Sequence, residues 1–162
     1  MSGAKKVAKR LQMDDESWRR HANPWSVWTR FAAIPFIIGS IWSREWIGWW
    51  ALVPLALTGV WLWLNVKVFA PIEQPASWAA KGIYGERLWL QEKSLVSREH
   101  RAIQRLLIVV GLAGFALTAW GLFVLEIWPT VFGAVLTVLG QLWRIDRFGL
   151  LYDELKRAGR IQ

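Results

Sequence analysis

No cysteine occurs among the 162 residues. Its absence excludes disulfides, thiolate metal sites and cysteine nucleophiles. Histidine is nearly as scarce: the two, His21 and His100, sit beside arginines and outside the apolar runs, where they cannot form a buried bis-histidine haem site. No HExxH, P-loop, GxSxG or paired-carboxylate pattern appears, so no familiar hydrolytic or nucleotide chemistry is written in the motifs. Neither metal nor cofactor is expected, a bound lipid excepted. Scarcest of all is charge inside four long stretches of the chain.

The first of these, Trp46–Leu64 (WIGWWALVPLALTGVWLWL), runs nineteen residues without a charge, and Thr58 is its lone hydroxyl. At the rise of an α-helix it is about 28 Å long, close to the hydrocarbon thickness of a bilayer. Three further runs share the property: Phe31–Trp42 (extendable to Trp25), Leu106–Leu125 and Ile127–Trp143. The pattern predicts an all-α fold, a four-transmembrane-helix antiparallel bundle. Its helices cover about 25–42, 46–64, 98–125 and 129–157, within a single membrane domain over 25–158. A cytoplasmic arm over 1–24 precedes it, with Val7, Leu11 and Trp18 at helical spacing.

Lysine and arginine number 20 against 12 acids, a formal net charge of +8. Nineteen of the twenty fall in the two tails and the long central loop, and Arg44 alone falls in a short connection. The positive-inside rule makes the crowded side cytoplasmic, so the expected location is a bacterial inner membrane with both termini inside. Topology and attraction to anionic headgroups, about 1 kcal/mol per surface charge, then account for the basic balance. The expected partners are the lipid bilayer and a larger membrane protein complex; no nucleic-acid partner is expected. Fourteen tryptophans suit a small protein with many helix ends at headgroup level.

Local signals refine the plan. Asn23-Pro24 opens the first helix, and Pro35 is expected to kink it. Ser43-Arg44-Glu45 is short enough to force a tight hairpin. In the central loop an amphipathic surface helix is expected over about 76–92, anchored by Trp78, Ile83, Trp89 and Leu90, with a weak point at Gly82 and Gly85. Ser97 is a natural N-cap for the third helix. Gly111, Gly114, Thr118 and Gly121, then Gly133, Thr137 and Gly140, form two stripes of small residues that allow close backbone approach. The fourth helix continues as a charged extension toward Gly159.

Polar residues converge on the inner face. A candidate binding pocket there comprises Arg30, Asn65, Glu86, Arg87 and Asp146, framed by Trp25, Trp28, Trp78 and Trp89, and suits a headgroup or amphiphilic ligand. The plainer alternative is a structural clamp that docks the loop onto the helix ends. No catalytic residue is identified.

The motifs HANPWSVWTRF, WSREWIGWW, WLWLN, WAAKGIYGERLWL and DRFGLLYDE, spread over roughly 21–155, resemble an uncharacterised family of small tryptophan-rich bacterial integral membrane proteins. The resemblance implies a multi-helix membrane protein and no established activity. Tryptophan-rich sensory proteins that bind tetrapyrroles are similar in size, but their five-helix pattern is not matched. The leading functional expectation is non-enzymatic: an accessory subunit or scaffold packing against other membrane proteins or lipid. Its alternative is a binder, less readily a modifier, of a lipid, quinone or pigment at the cytoplasmic interface.

Overall fold

A computed structural model describes residues 14–161, and among these all regular structure is helical. The spaced apolar residues Val7 and Leu11 of the arm lie outside the described residues. Helix α1 (Asp15–His21) starts where the Asp14 side chain accepts from the Ser17 N–H, and it carries Trp18 into the core. Helix α2 (Pro24–Trp42) starts as the motif implies. Asn23 accepts from the Trp25 N–H, Pro24 fills the first helical position, and the helix is continuous through Pro35.

The charge-free run from Trp46 is not one rod. A one-turn helix α3 (Arg44–Ile47) is followed by Gly48 at φ 54°, a backbone state open to glycine, and by a 3-10 turn over Gly48–Ala51. Helix α4 (Leu52–Val68) begins only then, with Pro54 in its first turn, where a missing N–H leaves no bond unmade. The shift carries Asn65 and Lys67 inside the helix. It also leaves Trp46, Trp49 and Trp50 on the connection, each at least 74% exposed.

Helix α5 (Trp78–Gln91) begins at Ser77, whose side chain accepts from the Ala80 N–H. It does not break at its glycines. Gly82 and Gly85 are buried against helix α7: a Cβ on Gly82 would strike the Ile145 side chain, and one on Gly85 would strike the Phe148 carbonyl. The helix is thus glycine-bearing because it lies on another backbone. A lipid-facing helix would have no such need. The ion pair of Lys81 with Asp153 at 2.9 Å and the packing of Trp89 on Phe148 hold the same seam.

Helix α6 (Arg98–Val124) is capped by Ser97 as expected, and α7 (Ile127–Arg157) follows a turn of only Leu125 and Glu126. Leu125 takes the left-handed conformation at φ 57°, so α7 starts two residues ahead of Pro129. The small-residue stripes face each other along this hairpin. A Cβ on Gly114 would lie 2.7 Å from the Thr137 amide nitrogen, and one on Gly133 would lie 2.7 Å from the Gly114 carbonyl. Thr118 and Thr137 each donate their hydroxyl to a carbonyl in their own helix, at 2.9 Å. The same hydroxyl oxygens face the glycines across the seam, each 2.7 Å from where a Cβ on Gly133 or Gly114 would stand. After Arg157 the chain closes with Gly159 at φ 66°, the Arg160 N–H returning to the Leu155 carbonyl.

Two hairpins result, α2/α4 and α6/α7, which touch each other sparingly. An inner layer of α1 and α5 bridges one end around Trp18, Ala22, Val27, Ala79, Ala80 and Ile83. At the other end Arg44 donates to the carbonyls of Leu122 and Phe123. Two helical stretches, Pro24–Val68 and Arg98–Val124, are long and apolar enough to cross a membrane. Only 6% and 22% of their most apolar windows are buried, so they present apolar side chains outward and do not form an enclosed core.

Candidate functional site

Between the hairpins, at the end covered by α5, lies a cavity of about 300 Å³. Arg30 enters it from α2, about two turns past the Asn23 cap. Its Nε donates to the Ser26 carbonyl at 2.9 Å and its Nη2 to the His21 carbonyl at 3.1 Å. Its Nη1 rests against the His21 ring, 2.8 Å from Nδ1 and 2.6 Å from Nε2. A guanidinium donates only to a ring nitrogen that carries no proton, so this approach requires a neutral imidazole. Burial, aided by the Arg30 charge, lowers the His21 pKa from 6.5 to about 3, which keeps the ring neutral.

Helix α7 lines the opposite wall with Gln141, Arg144, Ile145 and Phe148, spaced to share one helical face. Arg144 donates from Nη1 to Gln141 at 3.0 Å and from Nε to the buried Gln104 at 3.4 Å. Glu86 descends from α5, 3.8 Å from the Arg144 guanidinium, and accepts no hydrogen bond among the described residues. Burial raises its pKa, and the charges of Arg144 and Arg30 oppose the rise only in part.

A second space, about 420 Å³ and almost wholly apolar, lies along α2, α6 and α7 toward Arg44. Ile34 lines both spaces. They therefore adjoin at that side chain, a charged space on the α5 side and an apolar one beyond it lined by Ile37, Ile38, Ile41, Phe115 and Leu122.

Of the residues expected to form the pocket, Arg30 and Glu86 line the cavity. Asn65 is buried in the α2/α4 seam, where it accepts from the Ser26 hydroxyl at 2.6 Å and donates to Thr29 at 2.7 Å. It is a clamp between helices. Arg87 turns outward to pair with Asp15 and Gln91. Trp25 is 67% exposed, and Trp28 stacks on Trp78, whose indole donates to Asp146. Trp89 packs on Phe148, outside the cavity lining. The cavity instead takes His21, Gln141 and Arg144. The i, i+3, i+4, i+7 spacing of Gln141, Arg144, Ile145 and Phe148 was the available signal. Among the described residues no cluster of His, Asp or Glu is arranged to hold a metal ion.

A family model described as "Family of unknown function (DUF6653)" matches residues 3–162, and the chain belongs to that family. No curated protein and no solved structure matches it.

Proposed function

Within a family that assigns no activity, we propose that this protein is a four-span integral protein of the bacterial inner membrane, termini inside, that binds an amphiphile between its two hairpins. The adjacency of the charged cavity and the apolar groove, which share Ile34 as a wall, carries this reading. A polar head finds donors at Arg30, Gln141 and Arg144, and its tail finds a greasy channel at the depth of the hydrocarbon. Outward-facing Leu106, Val109, Leu112 and Phe115 on α6, and Val131, Phe132, Val135 and Leu139 on α7, support a lipid-facing hairpin. So do exposed indoles at both ends: Trp46, Trp49, Trp50 and Trp128 at one, Trp25 and Trp143 at the other. The fall of nineteen of the twenty basic residues in the two tails and the central loop of the sequence supports the cytoplasmic placement of those segments.

Binding without turnover fits the described residues of the cavity, which offer hydrogen-bond donors and a partly buried acid but no nucleophile activated by a base. The test is extraction of the protein purified from native membranes in an uncharged detergent, followed by mass spectrometry of what it carries. A stoichiometric amphiphile, lost when Ile38→Trp fills the groove, is the expected result. A protein that carries the bulk lipid mixture unaltered, in both forms, would overturn it. The second reading, an accessory subunit, draws on the same bare α6/α7 face. It requires a stable neighbour to remain bound after solubilisation.

A further inference from the structure

We propose that the occupant is a single-chain acidic amphiphile, its carboxylate or phosphate head held between Arg30 and Arg144 and its chain laid along α2 from Ile34 to Ile41. This rests on the binding role above and names the chemistry of the ligand.

Hydrogen-bond accounting carries the choice of head. A guanidinium has five N–H donors. Arg30 commits three of them, to the Ser26 carbonyl, the His21 carbonyl and the His21 ring, leaving two. Arg144 commits two, to Gln104 and Gln141, leaving three, because Glu86 at 3.8 Å is beyond hydrogen-bond reach. Five donors without a partner among the described residues therefore belong to two side chains that line one cavity. Paired guanidinium forks suit the oxygens of a carboxylate or phosphate better than any other common head.

Charge agrees. Two guanidiniums and the single acid Glu86, beside a neutral His21, leave the cavity at least one cation in excess. One anionic head restores balance, whereas a zwitterionic head would set an ammonium beside Arg30. The groove selects the tail. Ile34, Ile37, Ile38 and Ile41 lie on a single helix and span about 10 Å of it, a track for one chain.

Native mass spectrometry of the full chain in an uncharged maltoside detergent tests the proposal. The probes are hexadecanoate, hexadecyl phosphate, hexadecanol, dihexadecanoyl phosphatidic acid and inorganic phosphate. The two single-chain acids should be retained about tenfold or more over hexadecanol, as loss of charged hydrogen bonds implies. Arg30→Gln with Arg144→Gln should erase that preference, and Arg87→Gln should not. Equal retention of hexadecanol would overturn the acidic head and leave amphiphile binding standing. Preference for the diacyl acid would overturn the single chain, and competition by inorganic phosphate alone would overturn the need for a chain. Retention of no probe would overturn this inference and the binding role together. Should the arginine variants fail to fold by circular dichroism, Ile38→Trp and the probe series decide the matter in the wild-type fold.

Discussion

Arg44 donates from Nη2 to the Leu122 carbonyl at 2.6 Å and to the Phe123 carbonyl at 2.9 Å. The one basic residue assigned to a short connection thus caps the last turn of α6, where carbonyls lack helical partners and the dipole is negative. It is also the main fastening between the hairpins at that end. Arg44→Met should lower stability by about 2 kcal/mol, the scale of a charged hydrogen bond. Thermal unfolding in detergent, followed by circular dichroism, reads this out. An unchanged midpoint would mean that the contact contributes nothing.

Glycine positions should separate sharply. A Cβ at Gly85 meets the Phe148 carbonyl, which is backbone and cannot yield, whereas at Gly140 its nearest neighbour is 3.6 Å away. Gly85→Ala should therefore lift α5 off α7 and expose the 69–77 segment to limited proteolysis. Gly140→Ala should match the wild type.

Acid should weaken the inner end. His21 has a folded pKa of about 3 against 6.5 when unfolded, so the unfolded chain binds the extra proton. The stabilisation is complete above 6.5 and declines as the pH falls toward 3. At pH 5 the deficit reaches about 2 kcal/mol. His21→Gln, which keeps an acceptor for Arg30, should flatten the melting temperature between pH 5 and 7.

Glu86 runs the other way. Its raised pKa means the folded state prefers the protonated acid, so its contribution is greatest below the unfolded value and is lost as the pH climbs through the folded one. Glu86→Gln should leave neutral-pH stability equal or higher in thermal melts. A marked loss would show that the carboxylate is held chiefly by its arginines.

Topology is directly measurable because the natural chain has no cysteine. Single cysteines at Ser43 and Glu126 should label from outside intact cells, and one at Ser94 should label only after permeabilisation. Labels appearing on opposite sides for Ser43 and Glu126 would remove the four-span reading.

Helix caps and seams were legible in the sequence because they depend on local chemistry: Asn23-Pro24, Ser97, Gly159 and the two stripes of small residues all act where expected. The break at Gly48 was not, since indoles on both sides keep the run apolar while the backbone turns. That misplacement put Asn65 outside its helix and so into the pocket, when it belongs to the α2/α4 seam. Arg144 opens the charged extension and Gln141 sits in the apolar run before it, so neither segment's overall character reveals that the two share the cavity-facing side of α7. Gly82 and Gly85 read as weakness because their partners, Ile145 and Phe148, each 63 residues downstream, leave no local mark.

The hairpins are fastened at their two extremities, by Arg44 at one and the α1/α5 layer at the other, with little between. Such a frame behaves like a ladder missing its middle rungs: thermal motion spreads the rails while the ends hold register. Under the proposed topology a long-chain molecule reaches its berth sideways from the inner leaflet, never leaving oil for water. Its exchange should then follow the fluidity of the surrounding lipid more than its solubility in the cytosol.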